Sequence, residues 1–151
     1  MFDSVVFVQA MINGQGPSAA CIERVSAGEA ILFLSDAILA EIRDVPLRPE
    51  LTRRYAHLTP RLVESFVEQM QGIATHVVVP PKAFTLPRDP NDEPYIDLAI
   101  AANARYVVTW NDRHLTYLMR GDTPEGKEFR EKFPEITILS PPDFLRNVMA
   151  R

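Results

Sequence analysis

The chain has 151 residues, 46% hydrophobic and 24% charged, with a formal net charge of −4. This length suits a single domain over residues 1–151 with a substantial core, and the negative charge argues against a protein that coats nucleic acid by charge alone. No apolar run reaches the ~18–20 residues of a membrane span, no signal peptide opens the chain, and the single cysteine, Cys21, excludes an intrachain disulfide, so we expect a cytoplasmic protein.

Hydrophobic periodicity and turn residues predict alternating strands and helices. In chain order, the first half is predicted to begin with a strand at residues 2–4 and a helix or extended apolar turn at 5–12. A helix at 18–27, which Gly28 ends, follows. A strand at 30–34 that is covered on both faces comes next, and then a helix that Ser35 caps. The second half is predicted to hold a helix capped by Thr59, a strand at 76–79 that Pro80-Pro81 ends, a helix from Asp92 to Ala104 with Asp92 as a natural N-cap, strands at 106–109 and 136–139, and a closing helix at 141–149.

This alternation predicts a mostly parallel sheet covered by helices on both sides. In such sheets, functional sites form beyond the carboxyl ends of the strands. Polar residues occur where this rule needs them: Asp3 near the end of the first strand, Glu41 in the helix after the second, Asp92 at the start of the helix before the fourth, and Asn111-Asp112 just after the fourth. Carboxylates that converge from distant parts of a chain can build a Mg²⁺ or Mn²⁺ site for phosphodiester cleavage.

The segments that carry these acids resemble the PIN domain family. They are Phe2-Asp3-Ser4 before an apolar run, residues 35–42 with Glu41 inside a helix, Asp89-Pro90-Asn91-Asp92 before an alanine-rich helix, and residues 106–111. The resemblance extends from residue 1 to about 145 and implies an α/β fold, a three-layer α/β/α domain with a mostly parallel sheet of about five strands. It implies a Mg²⁺- or Mn²⁺-dependent endoribonuclease that hydrolyses RNA, similar to the VapC-type toxins of bacterial toxin–antitoxin pairs. It also implies a cognate antitoxin as partner and a homodimer.

Carried over residue by residue, the resemblance implies that Asp3, Glu41 and Asp92 are the catalytic, metal-binding acids. The fourth acid of the family falls on Asn111, and a carboxylate follows one residue later. The full set of candidate metal ligands is Asp3, Glu41, Asp92, Asp97, Asn111 and Asp112. Asp97 is a doubtful ligand because it lies about 140° around the helix from Asp92. Ser4 and Thr109 are expected to orient the ligand acids.

Two positions depart from the family pattern. Val5 stands where the family commonly has asparagine, and Asn111 supplies a neutral ligand that would weaken a site for a hard cation. Two alternatives therefore stay open: a PIN nuclease of RNA processing or decay that is not a toxin, and a catalytically weakened PIN fold that acts as a binding module. Val5 also disfavours a phosphatase of the haloacid-dehalogenase type, which would need an aspartate there.

A basic stretch follows the second acidic motif. Arg43, Arg48, Arg53 and Arg54 are candidates to bind RNA phosphates, and a solvated or partner-facing surface is the alternative. Trp110 could stack on a base, but a packing role is favoured. The histidines lack the spacing of a zinc site. The sequence holds no code for the RNA target or the number of metal ions.

Overall fold

The computed structural model describes residues 1–78, 82, 84–86 and 90–150. Val79, Pro80-Pro81 and Asp89, which enter the predictions above, lie outside the described residues. The α-helices are α1 (Ser4–Ile12), α2 (Pro17–Ser26), α3 (Asp36–Asp44), α4 (Pro49–Thr52), α5 (Pro60–Ile73), α6 (Glu93–Ala101), α7 (Pro124–Lys132) and α8 (Pro141–Phe144). The strands are β1 (Phe33–Leu34), β2 (Thr75–His76), β3 (Tyr106–Val108) and β4 (Thr137–Leu139). Short 3-10 turns occupy Val45–Leu47, Pro90–Asp92 and Thr116–Met119, and a π-turn, Leu145–Met149, follows α8.

The strands are short and form two small parallel sheets. β1 pairs with β2, and β3 pairs with β4. Phe2 adds a single parallel bridge to Val108, so the first predicted strand is reduced to one residue before α1 begins at Ser4. The α/β fold class therefore holds, but among the described residues a continuous sheet of about five strands is not confirmed.

The apolar run at 30–34 illustrates why the strand predictions were too long. Only Phe33 and Leu34 pair with a neighbouring strand, and Ile31 is 74% exposed. Hydrophobic character alone does not tell where backbone pairing stops, since an apolar residue can also lie on the surface. The prediction that the whole run is a strand covered on both faces is wrong.

Polar caps set the starts of three helices that position the site. Asp3 accepts a hydrogen bond from the Val6 N–H at the start of α1, as aspartate commonly does at the N-cap position of a helix. The caps predicted at Ser35 and Thr59 are confirmed, because each side chain accepts from the N–H three residues later. Each such cap contributes about 1 kcal/mol to helix stability.

Helix α6 starts differently from the prediction. Residues 90–92 form a 3-10 turn, so Asp92 has a helical backbone and its side chain makes no capping hydrogen bond. Asp92 therefore occupies the N-cap position as predicted, but its side chain does not act as a cap. The helix ends at Ala101, before Asn103 adopts a left-handed backbone at φ 53°, and not at Ala104.

One hydrophobic core joins the sheets to the helices. Its largest fully buried side chains include Phe7 of α1, Ile38 and Ile42 of α3, Met70 of α5 and Ile96 of α6. Together these helices fix the three segments that carry the candidate acids. None of the helices in the described part of the chain has the length and apolar character that a membrane span requires.

Candidate active site

Asp3 is a buried carboxylate, only 2% exposed, at the junction of the Phe2 bridge and α1. Its backbone N–H donates to the Val108 carbonyl over 3.1 Å, which ties it to β3. Its Oδ1 accepts from the Val6 N–H at 3.1 Å, and its Oδ2 accepts from the Thr109 hydroxyl. The Asp3 side chain is thus held by neighbours from two segments more than 100 residues apart.

Glu41 reaches the same region from α3. The Tyr95 hydroxyl contacts both Glu41 Oε2 and, at 2.9 Å, Ser4 Oγ. A phenol has one proton and the carboxylate can only accept, so Tyr95 donates to Glu41 and Ser4 donates to Tyr95. This relay joins α1, α3 and α6, and it orients the Glu41 carboxylate.

Asp92 is linked to the end of β3 through Asn111. Asn111 Nδ2 donates to Asp92 Oδ2 at 2.9 Å, and the Asn111 N–H donates to Thr109 Oγ1 at 2.9 Å. His114 Nδ1 lies 3.7 Å from the same Asp92 oxygen. Asp92 is therefore connected to Asp3 by three successive hydrogen bonds. They join Asp92 to Asn111, Asn111 to Thr109 and Thr109 to Asp3.

The electrostatics indicate that the three acids share one region. The pKa of Asp3 is raised to about 6, chiefly by burial and to a smaller extent by the nearby charges of Asp92 and Glu41, against the opposing effect of its hydrogen bonds to Thr109 and Val6. A divalent cation would relieve this repulsion, and carboxylate oxygens suit such an ion. The three acids offer carboxylate oxygens as ligands, so their chemistry fits a hard cation.

The acids do not form a closed coordination shell. Within residues 1–78, 82, 84–86 and 90–150, no group of three or more His, Cys, Asp or Glu side chains is arranged to hold an ion. Asp3, Glu41 and Asp92 instead interact through space and through Tyr95, Thr109 and Asn111. Binding of one ion by all three acids requires their side chains to move closer to one another.

A PIN domain family model matches residues 1–113, about three quarters of the chain. This chain belongs to the PIN domain family. The resemblance seen in the sequence is thereby confirmed at the family level. PIN domains are typically nucleases that bind RNA and generally use divalent metals. Comparison with curated proteins and with solved structures gave no match.

The remaining two acids of the predicted ligand set face other partners in this PIN domain. Asp97 is buried on α6, and its Oδ1 accepts from the Phe84 N–H at 3.2 Å. Asp112 is exposed and lies 3.5 Å from Arg120. Their ligation stays a prediction, but Asn111, not Asp112, contacts Asp92.

Two residues of the PIN site were not among the candidates. Tyr95 was missed because a tyrosine in an apolar helix is usually a core residue. The one available signal was its place in α6, three residues after Asp92. His114 was noted only as lacking zinc spacing. It lies near Asp92 because Asn111 Oδ1 accepts from the His114 N–H at 3.1 Å and turns the chain back.

The candidate RNA-binding arginines lie on the surface, in the last turn of α3 and in the residues that follow it. Arg43 pairs with Glu64 at 3.4 Å, Arg48 pairs with Asp44 at 2.9 Å, and Arg54 lies over the Tyr55 ring. Arg53 is exposed. Exposed ion pairs of this kind contribute little, so they leave the arginines able to exchange partners for phosphate.

The raised pKa of Asp3 predicts a specific pH dependence of the metal-free protein. The folded state holds the Asp3 proton up to about pH 6, whereas the unfolded chain releases it near 3.8. The folded state therefore binds more protons in this window, and its stability falls as the pH rises from about 4 to above 6. The contribution of Asp3 is about 3 kcal/mol.

Urea unfolding in chelator, for wild type and Asp3→Asn between pH 4 and 8, isolates this contribution. We expect the variant to gain stability relative to wild type as the pH rises through 6. A difference that stays constant with pH would show that Asp3 titrates normally.

A second prediction concerns the two acids of α6 that accept hydrogen bonds from the backbone of Phe84 and Leu86. Glu93 Oε1 accepts from the Leu86 N–H at 3.0 Å, and Asp97 accepts from Phe84 as described. Asp97→Ala leaves the buried Phe84 N–H without its acceptor, and we expect a loss of about 1–3 kcal/mol of unfolding free energy. Asp97→Asn keeps an acceptor oxygen and is expected to lose much less.

Thermal unfolding with and without Mn²⁺ separates this role from ligation. If Asp97 serves only to hold Phe84, both variants keep the wild-type affinity for Mn²⁺. A large loss of Mn²⁺ affinity in Asp97→Asn would instead make it a ligand.

Proposed function

We propose that this PIN domain is a Mg²⁺- or Mn²⁺-dependent endoribonuclease that hydrolyses RNA phosphodiester bonds. The observation that carries the proposal is the buried Asp3 carboxylate, whose pKa is raised by burial and further by the charges of Asp92 and Glu41. A protein that gathers three acids from separate segments pays in repulsion, and a cation binding site explains why they are kept together.

In this proposal Asp3, Glu41 and Asp92 hold the ion. Asn111 takes the position of the family's fourth acid and offers a neutral oxygen. The ion, when bound, neutralises charge on the phosphoryl oxygens and lowers the pKa of a water. The residues of the chain orient the ligands: Thr109 fixes Asp3, and Tyr95 with Ser4 fixes Glu41. An ionised acid that is not fully occupied by the ion can accept a proton from the attacking water.

The direct test is cleavage of a labelled RNA by the purified protein with Mg²⁺, with Mn²⁺ and with EDTA. We expect cleavage with either ion and none with EDTA. Asp92→Asn should lose activity, whereas Asp112→Asn, at an exposed position four residues beyond the end of β3, should keep it. If the protein neither cuts RNA nor binds either ion, the reading as a binding module takes the place of the nuclease.

We further propose that the nuclease is the toxin of a bacterial toxin–antitoxin pair, acting in the cytoplasm as a homodimer. The antitoxin would cover the acidic region, and an arginine inserted there would compensate the carboxylates. Expression in bacteria should then arrest growth, and Asp3→Asn should relieve the arrest. A nuclease that is active in the tube but harmless on expression would favour the alternative role in RNA processing or decay.

A further inference from the structure

We infer that Trp110 is a stacking platform for an unpaired nucleobase beside the scissile phosphodiester. The inference rests on the proposed ribonuclease function and adds a residue that contributes to RNA binding. Three observations support it: the position of Trp110, its fixed orientation and its exposure.

Trp110 lies between two residues that contact the acids. The Thr109 hydroxyl donates to Asp3, and the Asn111 side chain donates to Asp92 at 2.9 Å. Consecutive Cα atoms are about 3.8 Å apart, so the Trp110 Cα lies at that distance from the Cα atoms of both residues that contact the acids. In the proposed function the acids hold an ion at the scissile phosphate, so a base on that phosphate or on its neighbour would lie near the ring.

The indole is held in place by its own polar atom. Trp110 Nε1–H donates to Ser18 Oγ at 2.9 Å, and Ser18 is buried in the first turn of α2. The residue is nevertheless 40% exposed. Since its one hydrogen-bonding group is already satisfied, the exposed part of the side chain is hydrocarbon, and ordering the ring for a ligand costs little entropy.

Single-stranded RNA fits this surface better than a duplex does. Bases in a helix are stacked on each other and present only their edges, whereas an unpaired base offers a free face to an aromatic side chain. Such stacking tolerates different bases, which accords with a sequence that carries no code for one. A protein segment is the competing occupant of the same surface, and the experiment distinguishes the two.

The experiment uses the intrinsic fluorescence of the protein, because Trp110 is its single tryptophan. In a stopped-flow titration with Mg²⁺, read before cleavage, the protein is mixed with a short single-stranded RNA. It is also mixed with an oligomer of the same length and charge that lacks bases, and with a duplex. We expect saturable quenching by the single strand and little by the other two. Equal quenching by the abasic oligomer would overturn the inference, because contact would then involve the backbone only.

Kinetics of three variants provide the second measurement. Trp110→Ala should raise KM for single-stranded RNA by roughly tenfold with a smaller change in kcat, and Trp110→Phe should keep most of the wild-type KM. Ser18→Ala, which frees the ring but keeps it, should lie between them. If Trp110→Phe and Trp110→Ala both behave as wild type, the ring does not bind substrate and a protein partner is the better occupant.

The two measurements separate this inference from the proposed function. Cleavage without base-dependent quenching contradicts the stacking role and leaves the ribonuclease intact. Base-dependent quenching without cleavage under any divalent ion contradicts the nuclease and leaves an RNA-binding PIN domain.

Discussion

Asp3→Asn is expected to reduce RNA cleavage by roughly 10²- to 10⁴-fold, because Asp3 is a metal ligand in the proposed mechanism and the loss of such a ligand removes several kcal/mol of transition-state stabilisation. The variant should nevertheless remain folded. Asparagine is also a good cap, so its oxygen can still accept from the Val6 N–H that Asp3 caps in α1. At pH 7 the substitution removes a buried charge, so the metal-free variant should be at least as stable as wild type.

The measurement is single-turnover cleavage together with urea unfolding of the same preparation. Asp44→Asn is the matched control, since Asp44 is an exposed acid near the end of α3 that pairs with Arg48. We expect the control to change neither activity nor stability appreciably. An Asp3→Asn protein that is stable and still cuts RNA at the wild-type rate would remove Asp3 from the chemistry.

Asn111→Asp is expected to increase the affinity for Mn²⁺ by roughly 10- to 100-fold, the range over which groups around a metal site alter binding. The amide now donates to Asp92 Oδ2 at 2.9 Å. A carboxylate there would repel Asp92 in the metal-free protein and attract the ion in its place. The variant should therefore be less stable than wild type in EDTA and gain more stability when Mn²⁺ is added.

Calorimetric titration with Mn²⁺, combined with cleavage at limiting Mn²⁺, tests this expectation. Asp112→Asn serves as the neighbouring control, because that carboxylate faces Arg120 and should leave affinity unchanged. If Asn111→Asp binds Mn²⁺ no better than wild type, Asn111 does not take the place of a fourth metal-binding acid. If affinity rises but cleavage does not, the limit on turnover lies elsewhere.

Local signals in the sequence were sufficient for some helices and insufficient for others. Ser35 and Thr59 were predicted as caps because a cap acts on an N–H three residues away, within the reach of a short pattern. Asp92 was placed correctly at the start of α6, but the absence of its capping hydrogen bond was not predicted, since the 3-10 turn at residues 90–92 gives Asp92 a helical backbone. The apolar pattern at 30–34 showed hydrophobic residues but not which of them would find a pairing partner.

At the candidate site, the sequence indicated the three acids, and the structure shows the hydrogen bonds that connect them. Asp3, Glu41 and Asp92 were chosen by their place in the family motifs, and the electrostatic coupling of Asp3 to the other two is consistent with that choice. Tyr95 contacts Glu41 across 54 residues and Asp97 accepts from a backbone N–H 13 residues away. No local spacing encodes such contacts, because they arise only when α6 packs against the rest of the chain.

The double duty of Asp3 bears on how this protein can change over generations. One carboxylate both starts helix α1 and serves the proposed chemistry. A single base change converts an aspartate codon into an asparagine codon, and asparagine can start the helix equally well. One mutational step therefore leads from a nuclease to a folded, inactive descendant, free to be kept for binding alone.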